Sequence, residues 1–366
     1  MTDWTDPATF AAALDRAETR EKGTYFEAFA EGETVQHAPG LELSRHASEL
    51  WASQTLNHDP AYWRSDAARE LGYDERPVHP DYLLAAVMGP SVEDLSEKGG
   101  YFLGRDDVEL HDPGVTPGTE VRVESTVEAK RESSSRPAYG IVTWETTGYD
   151  AATGDPLLSY ARTNMIPRRE PVATDGDGTT GEESDEAATA GESLEPDLPD
   201  ELLAPAGPYF EDLREAVERA RDRDAAVAYR HERGRTMDDV LVSTLPLLTL
   251  NTAKQHHDDH HMADSPSGEI VAYGDVTRSV ALGHARSDEA TVRELSYGDE
   301  RFHDFVTAGD TVYGFTRVLD AREADRDAIP AGAPDAGEVT FEHYAFNQRD
   351  EPVYSGTRTA LVRKRN

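Results

Sequence analysis

Four stretches of the chain alternate apolar and polar residues at every second position. EVRVESTVEAKRES (120–133) and DTVYGFTRVLDARE (310–323) each read as one long strand. YGIVTWETTGYDAATGDPLLSYARTNMIP (139–167) reads as strand, Gly/Asp-rich turn, strand. EVTFEHYAFNQRDEPVYSGTRTALVRK (338–364) repeats that order with NQRDEP at the turn. Ahead of these strands the spacing changes. LLAAVMG (83–89) and VTRSVALG (276–283) gather small and aliphatic residues and close on Gly, which predicts helices over 83–89 and 276–285. Residues 60–72 and 253–262 also read as helix, and the Ser-, Thr- and aliphatic-rich segments 42–56 and 236–250 as extended chain. An early helix followed by long antiparallel strands is an α+β pattern, with the sheet wrapped around the helix.

The pattern occurs twice. HAPG (37–40), TLN (55–57) and VHPDYLLAAVMG (78–89) each lie 194 positions before HERG (231–234), TLN (249–251) and AYGDVTRSVALG (272–283). VTPGTEV (115–121) resembles VTAGDTV (306–312), GIVTW (140–144) resembles GEVTF (337–341), and YARTNMIPRR (160–169) resembles GTRTALVRKR (356–365). Six matches in one order imply a duplication, hence two similarly folded halves packed as a pseudo-dimer. Residues 170–206 are Gly, Ser, Thr, Ala and acid with few large apolar side chains, and read as a flexible linker. The expected division is an N-terminal extension (1–20), a first domain (21–169), the linker (170–206) and a second domain (207–366).

Charge narrows the function. The 366 residues include 72 Asp and Glu against 36 Lys and Arg, a formal net charge of −36. Such a surface repels itself in dilute buffer, but at molar salt the Debye length falls to about 3 Å and the repulsion is screened. The composition is that of a protein adapted to a salt-rich cytoplasm. Phosphate-bearing partners, nucleic acid or anionic membrane, would be repelled. The chain has no Cys, so disulfides, thiolate catalysis and cysteine–zinc sites are excluded. No apolar run approaches the roughly 20 residues that span a bilayer, and MTDWTDPATF lacks the basic, apolar character of a signal sequence. A soluble, cytoplasmic protein is expected, and a homo-oligomer stays open.

The densest chemistry lies in TLNTAKQHHDDHH (249–261), where His256, His257, His260 and His261 enclose Asp258 and Asp259. On one continuous helix His256 and His260 would be a turn apart, as a zinc pair requires. The zincin pattern needs Glu directly after the first His, however, and His257 stands there. No metal is therefore expected. Asn251 and Asn57 recur at matched positions, as helix caps or as orienting amides.

The order of these motifs resembles the hot-dog fold of the MaoC-like hydratases and dehydratases, here doubled. The family motif D-x-N-P-x-H-x-D falls on NHDPAYWR (57–64) and NTAKQHHD (251–258), and P-I-A-H-G-M-L falls on RPVHPDYLL (76–84) and IVAYGDV (270–276). The resemblance covers both halves. It puts His256 at the family's catalytic His and Gly274 at the Gly whose backbone N–H holds the thioester oxygen. Tyr62 and Pro80 occupy those positions in the first half, and Pro has no N–H to give. The second half is therefore the expected catalytic half. The sequence departs from the motif at Asn251 and Asn57, where the family has Asp, and Asn cannot serve as a base. Asp258 and Asp259 are the nearest substitutes.

Within the family, the run 251–262 resembles a subgroup of two-hot-dog hydratases acting on mesaconyl-CoA. The resemblance implies reversible hydration of mesaconyl-CoA to β-methylmalyl-CoA, in the methylaspartate cycle or acetate assimilation, with the acyl group carried on CoA and no further cofactor. Such a substrate keeps a free carboxylate, for which Arg278, one helical turn after Gly274, is the candidate and Arg76 of the other half a weaker one; Lys254 is the candidate for the CoA phosphates, and Tyr273 and Tyr62 for the pocket. A hydratase for another enoyl-CoA, an acyl-CoA thioesterase and a non-catalytic acyl-CoA binder share the fold and stand as alternatives.

Overall fold

The computed structural model describes residues 2–365 except 135, 171–197, 222, 264 and 266. The helices are α1 (Pro7–Leu14), α2 (Arg45–Gln54), α3 (Ser65–Glu70), α4 (Pro80–Met88), α5 (Val92–Leu95), α6 (Phe210–Arg221), α7 (Leu245–Leu248), α8 (Asp259–Met262) and α9 (Gly274–Ser287). The strands of the first half are β1 (Thr34–Glu42), β2 (Tyr101–Leu110), β3 (Glu120–Glu132), β4 (Tyr139–Asp150) and β5 (Pro156–Pro167). Those that follow are β6 (Glu201–Leu203), β7 (Ala225–Thr236), β8 (Thr291–Phe302), β9 (Thr311–Glu323), β10 (Ala336–Phe346) and β11 (Pro352–Arg363).

All eleven strands form one sheet in the order β1-β3-β4-β5-β2-β8-β11-β10-β9-β7-β6. The first ten strands of that order, β1 through β7, read as one five-strand order and its mirror image, with β6 added at the edge, so the duplication is legible in the topology. The seam is the antiparallel pair β2 and β8, where Arg105 faces Glu300. The core lies between the sheet and the two central helices, α4 and α9. Every residue of α4 is buried, from Pro80 to Met88, and in α9 burial runs unbroken from Asp275 to Arg286.

Each central helix also crosses the other half's TLN motif. A Cβ on Gly89 would stand 1.7 Å from the carbonyl oxygen of Thr249, and one on Gly283 would stand 2.3 Å from that of Thr55. Only glycine admits so close a backbone approach. The Leu of each TLN, Leu56 and Leu250, is left-handed, with φ of 59° and 64°.

Several expected elements differ. The segments 42–56 and 236–250 are not extended. Ser44 caps α2 by accepting from Ala47 N–H, and Ala47, Ser48, Trp51 and Ala52 form its buried face. In the second half a π-type turn (Val240–Thr244) leads into α7. Helical packing outweighed the aliphatic and hydroxyl composition that suggested strand. The helices expected over 60–72 and 253–262 each break into a short 3-10 turn and a separate short helix. Most of the expected linker, 171–197, lies outside the described residues; at its end, β6 pairs in parallel with β7 and buries Leu203.

Candidate active site

The second TLN turn places the first group. Asn251 Oδ1 accepts from Ala253 N–H at 3.1 Å, which fixes the turn ending in His256. The imidazole is 3 % exposed. Its Nδ1 lies 2.8 Å from the carbonyl oxygen of Val271. A carbonyl can only accept, so Nδ1 carries the proton and Nε2 presents a lone pair. Burial lowers the His256 pKa to about 4, so at neutral pH the ring is an uncharged proton acceptor.

The second group is the start of α9. Tyr273 lies with its ring centroid 5.5 Å from that of His256, and its hydroxyl donates to Asp275 at 2.6 Å. Gly274 follows as the first helical residue, and no side chain caps this N-terminus. The first N–H groups of a 14-residue helix, with its dipole, suit a developing negative charge. A Cβ at Gly274 would come within 2.6 Å of the Phe302 ring, so the backbone here needs glycine.

The first half carries the same two ring types in reversed order. Tyr62 stands where His256 does, and His79 stands where Tyr273 does, their ring centroids 4.6 Å apart. His79 Nδ1 accepts from Asp81 N–H at 3.2 Å and so caps α4, and burial depresses its pKa to about 3. The first residue of α4 is Pro80, which offers no N–H. Asn57 is fully engaged: Nδ2 donates to Thr55 Oγ1 and to the Ser279 carbonyl, and Oδ1 accepts from Arg286.

Between the halves lies a buried ion network. Arg105 binds Asp275 and Glu300, Arg278 binds Asp81 and Glu300, and Arg286 binds Asp81 and Glu294. Burial alone would raise the Asp81 pKa, but the guanidiniums of Arg286 and Arg278 hold it far below the carboxylate range. Asp81 and Asp275, matched in the duplication, thus tie each central helix to an arginine of the other half.

This network corrects one assignment. Arg278 does not stand free to bind a substrate carboxylate bidentately, because its Nε and Nη1 are held by Glu300 and Asp81, its guanidinium lies 4.3 Å from the Tyr297 ring, and only Nη2 is left without a partner among the described residues. Arg76 is likewise engaged, donating to the Trp63 carbonyl and to Glu49, each at 2.6 Å. Asp258 caps α8 by accepting from His261 N–H, and Asp259 is exposed, so the histidine loop brings neither carboxylate to the His256 ring. His257, His260 and His261 are exposed while His256 turns inward. The break between the 3-10 turn and α8 destroys the one-turn spacing a zinc pair would use, and among the described residues no three His, Asp or Glu converge. Lys254 is exposed, and two residues before it Thr252 donates to the half-buried Glu97 of the first half at 2.6 Å.

The family model for mesaconyl-CoA hydratase matches residues 3–364. The chain belongs to the mesaconyl-CoA hydratase family. Curated relatives of that name from Haloarcula hispanica and Haloarcula marismortui are each 65% identical to it over 372 residues, covering 100% of this chain and 99% of theirs. Among solved structures, a MaoC domain dehydratase protein of Chloroflexus aurantiacus superposes with a TM-score of 0.75 at 20% identity, covering 96% of this chain and all of its own. A Mycobacterium tuberculosis protein described as having a double hotdog fold follows at 0.70 and 21%, covering 93% and 98%. These two carry the fold alone: a MaoC-like double hot dog. No helix among the described residues is long and apolar enough to cross a membrane.

Sequence reading missed Arg105, Arg162 and Glu300, all fully buried. A signal was present. In LLSYARTN, Leu158, Tyr160, Arg162 and Asn164 share the inward face of β5, and a charged residue at an inward strand position needs an explanation.

Proposed function

We propose that this chain reversibly hydrates mesaconyl-CoA to β-methylmalyl-CoA, as a cytoplasmic hydro-lyase using no cofactor beyond the CoA of its substrate. One observation supports the reading most: a buried imidazole with its Nδ1 proton fixed lies beside an uncapped helix start, in a chain 65% identical to proteins of that name. His256 Nε2 takes a proton from water as its oxygen attacks carbon three. The electron pair of the double bond moves toward the thioester, and charge gathers on the carbonyl oxygen. The Gly274 N–H, with the helix dipole behind it, holds that oxygen. The pKa of about 4 makes the imidazolium a strong acid, ready to hand a proton to carbon two. One histidine can therefore serve both transfers where the family motif has Asp and this chain has Asn251. Asn251 shapes the turn that presents the ring, and the exposed Lys254 on that turn is the candidate for the CoA phosphates.

The test is direct. Purified protein is mixed with mesaconyl-CoA in molar KCl while enoyl-thioester absorbance and free thiol are followed. The reading expects absorbance to fall with no thiol released. Thiol release would instead mean a thioesterase, and no change in either would mean a binder or another substrate.

A further inference from the structure

Four of the buried arginines, Arg105, Arg278, Arg286 and Arg358, each hold at least two buried carboxylates. Arg162 differs. It is 0% exposed, and Nε, Nη1 and Nη2 all lack a hydrogen-bond partner among the described residues. Its guanidinium rests 5.3 Å from the Trp144 ring. Two further donors of the same sheet face, the Tyr160 hydroxyl and Trp144 Nε1, are also without partners. They are neighbours by register: Trp144 lies directly across from Arg162 on β4, and Tyr160 lies two residues before it on β5. A guanidinium desolvated without an anion is strongly unfavourable. Burial accordingly depresses its pKa.

The duplication shows what is missing. Arg358 is the counterpart of Arg162, and it binds Glu294 and Glu289, each at 2.7 Å. Glu294 lies across from Ala360 in the β8–β11 ladder, and the matching pair in the first half is Phe102 across from Asn164. A phenyl ring thus replaces the carboxylate that neutralises the second copy. That ring leads to the candidate active site. Phe102 packs on Phe302 at 5.1 Å, and Phe302 is the ring against which Gly274 sits. Asp275, at the start of α9, lies near enough for its carboxylate to favour the charged form of Arg162.

We propose that Arg162, with Tyr160 and Trp144 beside it, receives the free carboxylate of the acyl group, so that the site selects dicarboxylic acyl thioesters. The proposal rests on the hydration reading above, and it assigns to the first half the bidentate role that Arg278, with Nη2 alone unengaged, does not fill. A guanidinium can bind a carboxylate bidentately, and the phenol and indole add one donor each.

The test compares binding of two unreactive thioesters, succinyl-CoA with the free carboxylate and butyryl-CoA without it, by calorimetry in molar KCl. The wild type is expected to prefer succinyl-CoA by on the order of 10- to 100-fold, the range of charge-assisted hydrogen bonds. In Arg162→Gln that ratio should collapse toward one. If that variant does not fold, Phe102→Glu tests the same idea, because it returns an internal carboxylate to Arg162 as in the second half; it too should erase the preference. A ratio near one in the wild type, or a ratio kept by a folded variant, overturns the proposal. The hydration reading fails separately: wild type that prefers succinyl-CoA but leaves mesaconyl-CoA unchanged keeps the carboxylate site and loses the reaction.

Discussion

Tyr62 and His256 occupy one position of the repeat, His79 and Tyr273 a second, and Pro80 and Gly274 a third. The folds around them match: the same five-strand order, the same glycine crossing, and a histidine on the first strand held by a carboxylate and a hydroxyl. His37 meets Asp94 and Ser125, and His231 meets Asp288 and Thr316. On the proposed reading, three exchanges on a shared frame separate the half that accepts a proton and holds an oxyanion from the half that does neither. Packing constrains both halves equally, so the copies keep their crossings and diverge at the helix starts. The halves also cannot be parted, because Asp81 of one binds Arg278 and Arg286 of the other.

The comparison can be broken first at that tie. Asp81→Ala leaves two buried guanidiniums without their shared carboxylate, and should destabilise the fold by about 3–5 kcal/mol, read from chemical denaturation in molar KCl. Next comes the helix start. Gly274→Pro gives the second half the first half's residue and removes the N–H, while Gly274→Ala brings the same Cβ against Phe302 and keeps the N–H; hydration by the Pro variant should fall about 10²- to 10³-fold in kcat below that of the Ala variant. The third break uses pH. His256 and His79 are neutral in the fold, with pKa values of about 4 and about 3, against about 6.5 in the unfolded chain. Below pH 6.5 the unfolded state binds protons that the native state refuses. Stability should therefore drop as pH falls from about 6.5 toward 4, and the acid limb of kcat/KM should lie nearer 4 than 6.5. The smallest effect belongs to Pro80→Gly. It restores an N–H beside Tyr62, which is no base at neutral pH, so the hydration rate should stay within about threefold.

The sequence revealed much of the fold because long strands carry a period of two, and β3, β4, β5, β9, β10 and β11 appear nearly at their expected bounds. The duplication was legible because glycines at crossings and Asn-turns tolerate no substitute. The α2 and α7 regions were misread because their helicity depends on what they pack against. In the candidate site, His256 and Gly274 were singled out by their places in the repeat and in the family motif, and the structure sets them on either side of Tyr273. Arg278 was misassigned because its partners, Asp81 and Glu300, come from distant strands and helices that no local spacing connects. The isolation of Arg162 is a property of register: it appears only when Phe102 is seen to stand where the other half has Glu294.

The central claim, that the chemistry resides in the second half at His256, is tested most directly by measuring hydration of mesaconyl-CoA by His256→Ala and Tyr62→Phe side by side. His256→Ala should lose about 10²- to 10⁴-fold in kcat/KM, and Tyr62→Phe should stay within about threefold. Full hydration by a folded His256→Ala, or a larger loss in Tyr62→Phe, would contradict the account.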